Sequence, residues 1–75
     1  MQPYKNAAGN SGVTGYEIGN DFIIVEFQDG STYLYDYQST GQANIEQMKI
    51  LALTGVGLTT FINQHVRGRY AKKLK

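Results

Sequence analysis

A chain of 75 residues with 41% apolar and 17% charged side chains forms one domain, too hydrophobic and too weakly charged to stay disordered. At this length only about 60% of the unfolded surface can be hidden, and with no cysteine in the chain neither a disulfide framework nor a thiolate site supports the thin core. The net charge of +1 conceals a separation: residues 1–66 carry six acids against Lys5 and Lys49, a balance of −4, whereas Arg67, Arg69, Lys72, Lys73 and Lys75 put +5 into the last nine positions.

Residues 1–10 mix Gly, Asn, Ala and Lys without periodicity and are expected to be a flexible leader. The stretch from Met1 to Gly12 has no apolar run, which argues against a signal peptide or membrane anchor and for a soluble, cytoplasmic protein. Val13 to Ile18 is a short strand candidate, and Gly19-Asn20 is a turn signal that would set Tyr16 opposite Ile23. Phe22 to Phe27 is the strongest strand in the chain, and Ser31 to Tyr37 supplies a third.

The turn between those two strands decides what lies inside, because a slip of one residue exchanges the faces of a strand. A two-residue Asp29-Gly30 loop pairs Val25 with Leu34 and sends the tyrosines to the side of Phe22, Ile24 and Glu26. A three-residue loop, Gln28-Asp29-Gly30 with Gly30 left-handed, pairs Val25 with Tyr33 and Ile23 with Tyr35. The second is preferred, since it gathers Ile23, Val25, Phe27, Tyr33 and Tyr35 on one face.

Beyond the strands the period changes. Ile45, Met48, Leu51 and Ala52 recur at helical spacing, Ser39 with Gln42 resembles a capping box, and Thr54-Gly55 is a stop, so a helix is expected over about 41–53. A second, shorter helix carries Leu58, Phe61, Ile62 and Val66, with Gly68 at its C-terminal cap. The predicted fold is α+β: a three-stranded antiparallel meander followed by two helices packed on one face, with residues 11–70 as the single domain and 71–75 as a basic tail.

Three surfaces are candidates for function. Tyr33, Tyr35 and Tyr37 alternate as base-stacking aromatics do in RNA-binding sheets, but a small domain short of aliphatic residues needs such rings as core, leaving Tyr37, nearest the sheet edge, as the accessible one. Arg67, Arg69, Lys72 and Lys73 around Tyr70 suit phosphate contact with one stacked base, although cations after a helix also complement its dipole. Phe22, Ile24 and Leu34, bordered by Glu26, Thr32 and Asp36, make the outward sheet face apolar enough for a homodimer or protein partner unless another segment covers it.

No catalytic constellation is visible. The glycines of Gly55-Val56-Gly57 lack the Gly-Lys-Ser/Thr of a phosphate loop and read as a connection between helices. His65 is the only imidazole and sits on or beside an apolar stripe, and the six carboxylates are dispersed. No metal, no cofactor and no enzymatic activity are expected.

Ile23-x-Val25-x-Phe27-x-x-Gly30-x-x-Tyr33-x-Tyr35, the preceding Gly15-Tyr16, and the closing Phe61-Ile62-Asn63-Gln64-His65-Val66-Arg67-Gly68-Arg69-Tyr70 together resemble the KTSC domain family. The family is named after the C-terminus of some lysyl-tRNA synthetases and also occurs as small stand-alone bacterial and phage proteins. The likeness covers roughly residues 11–70, with Gln38-Ser39-Thr40 standing where the family has Val-Pro. What it implies is a non-enzymatic module with a role in RNA binding inferred from the synthetase context, and it imports no catalytic residues. The leading expectation is therefore contact with RNA or another polyanion through Arg67, Arg69, Lys72 and Lys73, with Tyr70 and Tyr37 as stacking residues. The rival is self-association or protein binding through Phe22, Ile24 and Leu34.

Overall fold

Alternating apolar residues build the sheet. The computed structural model describes residues 1–7, 9 and 12–75 and forms one antiparallel sheet from Gln2–Pro3 (β1), Val13–Ile18 (β2), Phe22–Phe27 (β3), Thr32–Asp36 (β4) and Lys72–Lys73 (β5), ordered β1-β2-β3-β4-β5. The expected meander is β2 to β4; each chain end adds one short strand to an edge. Ala8 and Asn10 of the expected leader, and Ser11 at the expected start of the domain, lie outside the described residues.

The β3–β4 hairpin has the three-residue loop. Val25 stands opposite Tyr33 and Ile23 opposite Tyr35, and the Phe27 amide donates to the Ser31 carbonyl at 2.9 Å. Gly30 closes the loop at φ 86°, a conformation that costs a residue with a Cβ of the order of 1 kcal/mol. Asp29 braces the same loop by accepting from the Ser31 amide at 2.9 Å and the Ser31 hydroxyl at 2.6 Å. Ile23, Val25 and Tyr35 are buried in consequence.

The β2–β3 turn differs from expectation. Its loop is Asn20-Asp21, the Gly19 amide donates to the Phe22 carbonyl at 2.9 Å, and Tyr16 faces Val25 instead of Ile23. The Phe22 ring occupies the space a Cβ on Gly19 would need, so glycine serves as the last paired residue and not as the loop. A slip of two leaves every side chain on its own face. The register shifts once more between Val13 and Gly15, an irregularity that lets Val13 and Tyr16 both turn inward.

The helices cover the inner face. A single turn, Tyr37–Thr40 (α1), is capped by Asp36, whose carboxylate accepts from the Ser39 amide at 2.8 Å; the capping box is thus Asp36 with Ser39, not Ser39 with Gln42. Gly41 ends that turn, and Gln42–Thr54 (α2) follows within one residue of the expected span, closing at Gly55. Leu58–Phe61 (α3) continues as a wider π turn over Ile62–Val66. In a regular α-helix residues four apart drift by about 40°. The wider turn takes that drift back, so Leu58, Ile62 and Val66 all reach the core beside Ile45, Met48 and Ala52.

Both ends depart from the expected leader and tail. Tyr4 is buried, and its hydroxyl accepts the Leu58 amide at 3.2 Å, an amide at the start of α3 for which Gly57 offers no side-chain cap. The Ala7 amide donates to the Gly55 carbonyl at 2.7 Å. At the other end the Ala71 amide donates to the Leu34 carbonyl at 2.7 Å, the Leu74 amide to the Thr32 carbonyl at 2.7 Å, and the Thr32 amide to the Lys75 carbonyl at 3.1 Å. Residues 71–75 are therefore laid along β4. Among the described residues no helix is long and apolar enough to cross a membrane.

Candidate functional site

The three-residue loop and the π turn end on the same side of the molecule, and an open cleft of about 420 Å³ lies between them. Phe27, Asp29, Ser31, Tyr33 and Tyr35 line it from the sheet; Ile62, Asn63, Arg67, Gly68 and Tyr70 line it from the helical side. Its volume falls within the range of small-molecule sites.

Local geometry puts Arg67 and Tyr70 there. Arg67 (φ −56°, ψ 125°) and Gly68 (φ 79°) are the central residues of a type II turn closed by the Arg69 amide on the Val66 carbonyl at 2.9 Å, and glycine meets the positive φ that turn demands. Buried Thr40 donates its hydroxyl to the Arg69 carbonyl at 2.7 Å, and Ala71 is held to Leu34, so Tyr70 is fixed from both sides.

The aromatic floor is continuous. The Tyr33 ring lies 5.7 Å from Phe27 at 81° and 4.7 Å from Tyr70 at 61°; Tyr70 in turn lies 6.4 Å from Tyr35 at 88°. These edge-on arrangements set ring edges against ring faces. Tyr35 is shut in, and burial pushes its phenol up to about 12, with Tyr33 and Tyr70 adding to the shift. Tyr33 is half-buried, while Tyr70 stays 39% exposed. The Lys73 ammonium sits 5.8 Å from the centre of the Tyr33 ring. At the rim, the hydrogen bonds from the Ser31 side chain and amide hold the Asp29 carboxyl below the usual carboxylate range, and the charge of Lys73 acts in the same direction.

The expected binding residues divide. Arg67 and Tyr70 line the cleft, and Lys73, paired with Tyr33, shares its side of the sheet. Lys72 pairs with Leu34 and so falls on the opposite face, and Arg69 is exposed beside the turn. Tyr37 does not line the cleft. Its hydroxyl donates to Glu46 Oε2 at 2.6 Å with the Lys49 ammonium 5.6 Å from its ring, a clip that joins α1 to α2. The Glu46 carboxylate raises the Tyr37 phenol, and the bonds from Tyr37 and Lys49 lower the Glu46 carboxyl. The sequence reading missed Asp29, Ser31 and Asn63 as cleft residues, though Asp-Gly-Ser in a hairpin turn signals a carboxylate bonded two residues ahead.

Phe22, Ile24 and Leu34 lie half-buried on the sheet face away from the helices, and Thr32 at their margin is buried where residues 74 and 75 cross it. His65 is exposed, its ring 4.7 Å from Phe61. Among the described residues no group of three or more His, Cys, Asp or Glu side chains is placed to hold a metal ion. No family model, no curated protein and no solved structure matches this chain.

Proposed function

We propose that the chain is a small binding module of the KTSC kind, working in the cytoplasm without chemistry of its own, that holds single-stranded RNA or a related polyanion at the cleft between the β3–β4 loop and the π turn. The observation that carries this is the meeting of a partly exposed ring pair, Tyr33 with Tyr70, and the Arg67 cation at one open cleft, with the Lys73 ammonium beside the Tyr33 ring. A base stacked on a protein ring gains about 1–3 kcal/mol whatever its identity, and each phosphate neutralised makes affinity fall with salt. Arg69 adds charge beside the turn, whereas Lys72 lies on the other face of the sheet. The same group of side chains is poorly suited to turnover: the Ser31 hydroxyl proton rests on a carboxylate whose proton affinity is lowered, so no base tuned near neutral pH adjoins it.

Fluorescence anisotropy of a labelled single-stranded RNA, titrated at low and moderate salt, tests the proposal. Binding that weakens with salt is expected, and the combined Arg67→Ala and Lys73→Ala variant should lower the logarithmic salt slope by about 1–2. Absence of binding at low salt overturns it.

The half-buried trio Phe22, Ile24 and Leu34 on the sheet face away from the helices favours a second reading, a C2 dimer joined sheet to sheet. Light scattering during size exclusion tests it. A particle of twice the chain mass that Leu34→Lys halves supports the dimer, and a single-chain mass at high concentration removes it.

A further inference from the structure

The cleft is not uniformly basic, and the exception gives it a direction. Asp29 brings a carboxylate to the rim of a site whose lining also holds the Arg67 cation, and there it repels phosphate. Oδ1 of that carboxylate is occupied, taking both the amide and the hydroxyl of Ser31. Oδ2 remains to accept, and because the Ser31 hydroxyl spends its proton on Asp29, its oxygen too is left as an acceptor. Across the cleft, Asn63 and Arg67 have no side-chain partner among the described residues and bring donors. The hairpin-loop rim therefore offers acceptors at Asp29 and Ser31, and across from it Arg67 can only give hydrogen bonds while Asn63 can give or accept them.

Resting on the RNA reading above, we infer that the cleft takes a single unpaired guanine. Guanine alone among the four bases carries two adjacent donors, N1–H and the N2 amino group, on its Watson–Crick edge, which match Asp29 Oδ2 and Ser31 Oγ. Its O6 and N7 acceptors suit an arginine. Uracil flanks one N–H with two carbonyl oxygens, which meet the carboxylate badly. Adenine and cytosine each set a ring acceptor next to the amino group. Tyr70 supplies the exposed ring for stacking, and Lys73 and Arg69 are left for the flanking phosphates.

The test uses short uridine oligonucleotides with guanine, adenine, cytosine or uracil at the centre, titrated into the full chain at low salt. Guanine should bind tighter than uracil by about tenfold, the discrimination of one good base-edge contact. Asp29→Asn keeps a carbonyl oxygen for the Ser31 bonds but replaces Oδ2 with a donor, and it should bring the preference to within about twofold. Ser31→Ala, which removes one acceptor, should lower the preference part of the way, and tyrosine fluorescence confirms that both variants are folded. If no oligonucleotide binds, the RNA reading falls and this inference with it. If all four bind alike, only this inference falls. Guanine preference that survives in both variants likewise overturns it.

Discussion

Both ends of the chain lay a two-residue strand against the sheet, yet they are held by different means. The N-terminal strand is followed at once by a buried ring, Tyr4, whose hydroxyl closes the first turn of α3. The C-terminal strand is held by backbone hydrogen bonds to Thr32 and Leu34 and by the bond from Thr40, while its side chains stay in solvent. One end thus contributes to the core. The other displays charge without burying any, an arrangement suited to a segment whose side chains meet a ligand.

Substitutions can break that contrast, beginning at the core. Tyr4→Ala should cost about 3–5 kcal/mol in urea unfolding, the loss for a buried aromatic truncated to alanine, and a domain this small will be largely unfolded by it. A loss below about 1 kcal/mol would show that the first strand is an appendage after all.

Alkaline pH probes the cleft floor. The Tyr35 phenol is raised from about 10 to about 12 in the folded chain, so the stability tied to its neutral form is complete below pH 10 and is lost as pH climbs toward 12. Phenolate absorbance should show an ionisation near pH 12 that Tyr35→Phe removes, and the same substitution should flatten the fall of the urea midpoint across that window.

Smaller effects sharpen the comparison. Tyr4→Phe and Thr40→Val each remove one partner of a long-range hydrogen bond and should each cost about 1 kcal/mol in the same urea assay. Under the proposed RNA-binding function they should differ in kind: Thr40→Val should release Tyr70 and weaken binding, whereas Tyr4→Phe should leave binding alone. Smallest of all, Lys73→Ala should leave the unfolding midpoint in place while reducing RNA affinity and its salt dependence. A large drop in midpoint would mean that the C-terminal lysines hold the fold.

Much of this architecture was legible from residue types. The β3–β4 register could be read because only one loop length set Ile23, Val25 and Phe27 beside Tyr33 and Tyr35, and a whole strand face then depended on one glycine. The β2–β3 loop was misplaced by one residue and its register by two, because face alternation repeats every two and is blind to such a slip; the Phe22 ring over Gly19 decided it. The edge strands were illegible for another reason. Two residues carry no period, and the burial of Tyr4 depends on a partner 54 positions away. At the cleft, Arg67 and Tyr70 were visible in the sequence by charge and aromaticity. Asp29, Ser31 and Asn63 were not, since their role arises only when the hairpin loop and the π turn meet, and Tyr37 resembled its neighbours until Glu46 bound its hydroxyl.

The strand laid along β4 also has a protective consequence. Beneath it runs Thr32-Tyr33-Leu34-Tyr35, a dense series of strand formers whose bare backbone would be a template for amyloid-like stacking of chains. Covering it with a lysine pair exchanges a sticky border for a gatekept one. Trypsin-like proteases have four cleavage positions at Arg67, Arg69, Lys72 and Lys73 within this exposed stretch, so limited digestion there would strip the guard and turn a clear solution turbid.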